Sequence, residues 1–388
     1  MYQPRTIPFP IILAAAILIV VFTESAKRQQ AEDLPFRMEL LEAIPAPVID
    51  QDHAELAGNM YGFEGGSAFF HQGEYHLFTA EMSGDPFWVS MRLAHWKSDD
   101  LIYWHRVSTV LESKGEGFET DQRFSIWQPN VIYNEKEQHW NIFYTSYQGP
   151  VNENDGLHLN GHNHRLVSLT QGPGGLDGPW RDMGSVFHPD RDSRYWEGQQ
   201  GTTSIYPYQV GDQWYSFYNS HNYDPRSPWY AGMATAPNIS GPWKRYGGKD
   251  PLKIETKFIE NPIVTKVDDF YVVIYDSGII EDDNNYINDP AQVGYSVSSN
   301  GLIWPPGKRL EVRDTGDEDN WAEDVRTPLG LIPMEDGTYS ILFTAKKKGK
   351  QFWAVGLARV HIIPVPEPSR SMQLVHAPKP PGKSGSFN

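Results

Sequence analysis

One pattern recurs along this chain and limits its fold more than anything else in it. An apolar strand runs into a polar turn, and an aromatic strand follows that ends in small or polar residues. Copies begin at Gly65 (GGSAFFHQGEYHLFTAE), Pro129 (PNVIYNEKEQHWNIFYTSY), Thr203 (TSIYPYQVGDQWYSFYNSH), Asn261 (NPIVTKVDDFYVVIYDSG) and Pro328 (PLGLIPMEDGTYSILFTAK). Each turn carries Gly, Asp, Asn or Glu, as a tight hairpin demands. In four copies a second strand pair follows, with a polar turn that leads to Trp104, Trp180, Trp243 or Trp304. The fifth copy has only the short FWAVGLARVHI. A four-strand unit repeated five times describes an all-β, five-bladed β-propeller with four-stranded antiparallel blades. A β-sandwich would not repeat such a unit with the same turn chemistry. A sixth blade would need a hairpin in residues 23–60, where EDLPFRMELLEAIPAPVID shows none. The four Trp residues read as packing groups between blades.

Composition narrows the function. The chain has 388 residues, 39% of them hydrophobic, with 13 Trp and 20 Tyr, enough for a large core. The 34 Gly and 30 Pro suit many turns. A net charge of −16 argues against a nucleic-acid partner, which needs a basic stripe. With no Cys, disulfides, thiolate metal sites and a Cys nucleophile are excluded. Ile7 to Phe22 is an apolar run of 16 residues, preceded by Arg5 and followed by Lys27 and Arg28. It fits a secretory signal or a short membrane anchor over residues 1–26, and hence an exported protein, periplasmic, secreted or held on the outer side of the membrane. Residues 27–54 read as a lead-in, 55–363 as the propeller, and 364–388 as a disordered Pro-, Ser- and Gly-rich tail.

Propeller topology locates the chemistry. Residues just before each first strand, and just after each second strand, face one mouth of the central channel. Before the first strands stand Glu64, Trp127, Gln128, Glu197 to Gln200, Glu260, Glu323, Asp324 and Arg326. After the second strands stand Glu81, Tyr147, His221, Asp276 and Lys346. Carboxylates gathered in a concave pocket raise one another's pKa, so a neutral acid and an ionised base coexist near neutral pH. Glycoside hydrolysis needs such a pair, and aromatic faces suit sugar rings. Arg326 has three readings: an ion pair with Glu323, one with Asp324, or a contact to an anionic sugar. The run Asp282-Asp283-Asn284-Asn285 with Asp289 offers oxygen ligands but lacks the calcium-loop pattern. No phosphate loop, nucleophile elbow or zinc motif is present.

Glu260-Asn261-Pro262 resembles the Glu-x-Pro motif of glycoside hydrolase family 43 and related β-fructosidase-type propellers, and like it opens the fourth blade. Trp127-Gln128-Pro129 is similar to the Trp-Ala-Pro that opens their second. The resemblance spans roughly residues 55–363 and implies that Glu260 is the general acid. The family's general base is an Asp-Pro at the first blade, where this chain has Glu64-Gly65-Gly66. Its third-blade Asp, which tunes the acid, falls near Thr203 here, and Glu197 or Asp324 would substitute. Trp127, Gln128, His221, Asp276, Asp324 and Arg326 would line the sugar site. The expectation is therefore an exported glycoside hydrolase acting on a poly- or oligosaccharide. It requires no cofactor, and a central calcium ion remains an option. A non-catalytic carbohydrate-binding propeller and a glycan transferase or phosphorylase are the rivals.

Overall fold

The computed structural model describes residues 34–114, 123–148, 160–169, 175–222, 227–255, 258–282, 285–288, 292–313 and 320–365. The apolar run, the C-terminal tail from residue 366, and Asp283, Asn284 and Asp289 of the acidic run lie outside them. No helix among the described residues is long and apolar enough to cross a membrane.

Five four-stranded antiparallel sheets form the blades. Blade I comprises Phe63–His71, Glu74–Met82, Met91–Ser98 and Trp104–Glu112. Blade II comprises Ser125–Asn134, His139–Gln148, Asn160–Ser168 and Trp180–Phe187. Blade III comprises Thr203–Val210, Gln213–Ser220, Tyr230–Ala236 and Lys244–Tyr246. Blade IV comprises Glu260–Val267, Phe270–Asp276, Gln292–Ser298 and Lys308–Glu311, with a small hairpin, Gly278–Asp282 and Asn285–Asn288, inserted after its second strand. Blade V takes Asp324–Pro333, Tyr339–Lys346 and Ala354–Pro364 from the end of the chain. Its outermost strand is Phe36–Ala43, paired from Phe36↔Pro364 to Ala43↔Ala358. The fifth blade is thus not short. Its last strand comes from the segment read as a lead-in, so the propeller begins near residue 36 and the two ends of the ring are zipped together.

The core is divided among the seams. Ile263, Val272 and Phe343 pack between blades IV and V, Phe63, Trp96 and Leu342 between V and I. Phe78, Ile126 and Ile142 fill the seam of I and II, Phe143, Ile205 and Tyr218 that of II and III, Phe217, Val264 and Tyr275 that of III and IV. Each fully buried side chain of this size contributes roughly 1.5–3 kcal/mol by leaving water. The repeated Trp residues belong to these seams: Trp104, Trp243 and Trp304 are buried, and Trp180 packs half-buried against the seam of I and II.

At the top of every innermost strand the ladder slips by one residue, between Glu64 and Gly66, Trp127 and Asn130, Thr203 and Tyr206, Glu260 and Ile263, and Val325 and Pro328. A bulge re-aims side chains where the strand meets the axis. In four blades it places a residue in the left-handed region: Gly65, Gln128, Ser204 and Asn261. Gly66, at φ 153° in the first of these bulges, has no room for a side chain, because a Cβ there would lie 2.2 Å from the Phe78 carbonyl oxygen. Gly66→Ala should cost about 3 kcal/mol or more. Gly211→Ala, in an open hairpin turn at φ 60° with nothing within 4 Å, carries only local strain of roughly 1–2 kcal/mol. Chemical denaturation checks the contrast, and equal midpoints would contradict it.

Candidate active site

Polar side chains meet on the axis, one from each blade. Ser204 Oγ of blade III donates to Gln128 Oε1 of blade II at 2.9 Å. Gln128 Nε2 donates to Asn261 Oδ1 of blade IV. Asn261 Nδ2 donates to Thr327 Oγ1 of blade V at 3.4 Å, and Thr327 Oγ1 donates to Glu64 Oε1 of blade I at 3.2 Å. Thr145 Oγ1 adds a second donor to Gln128 at 3.3 Å. All of these residues are buried. Apart from Glu64 Oε2, their polar atoms find partners, which is the condition for keeping polar groups in a core.

The acids stand around this network. Glu64 is wholly buried. Besides Thr327 it has Arg326, whose Nε lies 3.2 Å from Glu64 Oε2. That contact is an ion pair without hydrogen-bond alignment, since Oε2 receives no hydrogen bond. Glu260 opens blade IV and faces Asp276 across the sheet as its register partner. Asp276 is buried, and neither of its carboxyl oxygens has a hydrogen-bond partner. Arg326 is thus the cation shared by Glu64, Glu260, Asp276 and Asp324.

One guanidinium does not neutralise this many buried acids, so protons must remain on some of them. Burial pushes Glu260 up to about 7; Arg326 opposes the rise, Glu64 adds to it, and a hydrogen bond from Gln128 pulls it back. Burial and then repulsion from Glu260 hold Asp276 well above the carboxylate range, against the pull of Arg326. Burial also raises Glu64, opposed by Arg326 and the Thr327 bond, both of which favour its ionised form.

The other sequence candidates have varied fates. Trp127 is half-buried on the wall, its Nε1 donating to Ser125 Oγ at 2.7 Å and to the Trp88 carbonyl at 3.2 Å. Gln128 is a hub of the axis and not a surface contact. Asp324 lies 3.7 Å from Lys346 Nζ, and Lys346 and Arg326 both sit over the Trp353 ring. Arg326 pairs with Glu64, the partner that sequence did not suggest. His221 is fully buried and stacked on Trp229 at 5.1 Å, which makes it a wall residue and not an exposed sugar contact. Glu197 is corrected outright. Arg245 grips both its oxygens, at 2.7 and 2.6 Å, and Tyr218 donates to it at 2.7 Å, so it is a buried structural ion pair. Glu81 has the same fate between Arg92, Arg106 and Trp96. Thr203, at the third-blade position, is buried and carries no charge. Ser204, Asn261 and Thr327 were missed, because no local signal marks small polar residues beside these turns. No group of three or more His, Cys, Asp or Glu that would hold a metal occurs among the described residues.

No protein-family model matches the chain, and no curated protein matches its sequence. Its fold does match solved structures. A thermostable family-43 glycoside hydrolase superposes with a TM-score of 0.51 at 15% identity, over 80% of this chain and 96% of that one. Zg3597, a family 117 glycoside hydrolase of the marine bacterium Zobellia galactanivorans, gives 0.56 at 13% identity, over 85% and 92%. BT0996, solved as an RGII complex, gives 0.58 at 14% identity, over 92% and 99%. At these identities the likeness is one of fold: the chain has the five-bladed propeller of glycoside hydrolases.

The raised pKa of Glu260 has a stability consequence. A folded-state value near 7 against an ordinary 4.5 means that the folded protein holds the proton more tightly. This contribution is complete at low pH and is lost as pH rises from about 4.5 through 7, on the order of 3 kcal/mol in all. Glu260→Gln mimics the protonated form at every pH. It should match the wild type in stability at pH 4 and exceed it at pH 8, as read by denaturant unfolding. A difference independent of pH would contradict the assignment.

Proposed function

We propose that the protein is a glycoside hydrolase that cleaves O-glycosidic bonds of a poly- or oligosaccharide at the propeller mouth. The observation that carries this reading is the meeting of Glu64, Glu260 and Asp276 around Arg326. The fold likeness to glycoside hydrolases supports it. Glu260, protonated near neutral pH, is the general acid and gives its proton to the leaving glycosidic oxygen. Glu64, raised by burial against the pull of Arg326 and Thr327, is in its ionised form the general base and takes a proton from the attacking water. Asp276, the register partner of Glu260, takes the place of Glu197 as the third acid of the site. Trp127 supplies the aromatic wall. The apolar run Ile7–Phe22, cleaved or kept as an anchor, supports export of the enzyme.

A glycan-panel digestion with reducing-end detection tests this. Wild-type protein should release product with a rate that falls above about pH 7, where Glu260 loses its proton. Glu260→Gln should lower kcat/KM by about 10²–10⁴-fold while remaining folded. Undiminished turnover would remove Glu260 from the mechanism. The uncharged third-blade Thr203 favours one second reading, a propeller that binds glycan without cleaving it; saturable binding with no product at any pH would establish that instead.

A further inference from the structure

Between blades II and III a long connection, residues 188–202, crosses the mouth face from the outermost strand of one blade to the innermost strand of the next. Arg245, on the outermost strand of blade III, fastens it. Besides Glu197, its guanidinium donates to Asp190 Oδ1 and to Ser193 Oγ, each at 2.9 Å, and its side chain is only 4% exposed. The same connection is tied to residues 247–250. Trp196 Nε1 donates to the Lys249 carbonyl at 3.1 Å, Tyr195 OH to Asp250 Oδ1 at 3.1 Å, and Arg194 Nη2 to the Gly247 carbonyl at 3.5 Å. These braces make the walls of a cavity of about 830 Å³.

The charge of this cavity runs against that of the protein. In a chain of net charge −16, its walls carry Arg191, Arg194, Lys244 and Lys249 in addition to the committed Arg245. Of the two lining carboxylates, Asp190 is held by Arg245, which leaves Asp192. Lys244 and Lys249 form no ion pair among the described residues. Arg191 is 93% exposed and among the described residues pairs only with Asp192, at 3.9 Å. Beside these cations Tyr195 lies 76% exposed, its hydroxyl anchored and its ring free for a sugar face.

We propose that this cavity is a second glycan site, outside the acid cluster, that holds an anionic sugar chain by its carboxylate or sulfate groups. Cations on a braced frame recognise such anions, and the volume is that of a small-ligand pocket. That the polyanion is a glycan rests on the proposed function.

Affinity electrophoresis and calorimetry with polygalacturonate, chondroitin sulfate and neutral arabinan test the site. Wild-type protein should bind at least one of the acidic polymers, more weakly as salt rises, and should not bind arabinan here; which acidic polymer binds identifies the anion. The Lys244→Ala/Lys249→Ala double variant should lose at least tenfold in affinity with unchanged melting temperature, and Glu260→Gln should bind as the wild type does. Absence of binding to both acidic polymers, or undiminished binding by the double variant, overturns the site. Binding retained in a wild-type protein that cleaves no glycan would sink the hydrolase reading and leave this one standing.

Discussion

The hydrogen-bonded chain from Ser204 through Gln128, Asn261 and Thr327 to Glu64 is the interaction on which the site depends. Five sheets packed by apolar seams leave a channel where their inner strands converge. Here that channel is closed by one polar side chain from each blade. Gln128, Ser204 and Asn261 adopt left-handed backbone, which non-glycine residues hold only when the surroundings impose it. The bonds across the axis supply that constraint. They also fix the residues one position earlier, Trp127, Thr203 and Glu260, beside Glu64 at the start of the inner strands. Loss of one member would strand its buried neighbours, at about 1–3 kcal/mol for each group left unpaired.

What the network positions is an electrostatic excess. Glu64, Glu260 and Asp276 are all buried, and Arg326 is the cation that faces the three of them. Elsewhere the protein pairs its buried acids well: Glu197 with Arg245, and Glu81 with Arg92 and Arg106. The contrast separates structural from chemical carboxylates. Where both oxygens are gripped by guanidinium, the carboxylate is held in a structural ion pair. Where one Arg serves several acids, a proton stays mobile near neutral pH, as acid catalysis requires.

The blades were legible because each hairpin carries its own signature of alternation and turn chemistry. Strand Phe36–Ala43 was not, since a lone strand announces no partner, and its partner lies at the far end of the chain. That Glu64, Glu260, Asp276 and Arg326 come together was legible from strand order alone. The failure at Glu197 has a specific cause. It sits in a long connection, and only the fold brings Arg245, 48 residues onward, to it. Ser204, Asn261 and Thr327 escaped notice because small uncharged polar residues are common beside turns. Their meaning comes from convergence, which local pattern does not contain.

The central claim is that these three acids share too little positive charge to be ionised together. Infrared titration of the carboxyl C=O band tests it most directly, with Glu260→Gln and Asp276→Asn used to assign the signals. The account predicts side-chain carboxyls still protonated at pH 6, with part of that band lost in each variant. A spectrum in which every carboxyl of the wild type is ionised by about pH 5 would contradict it.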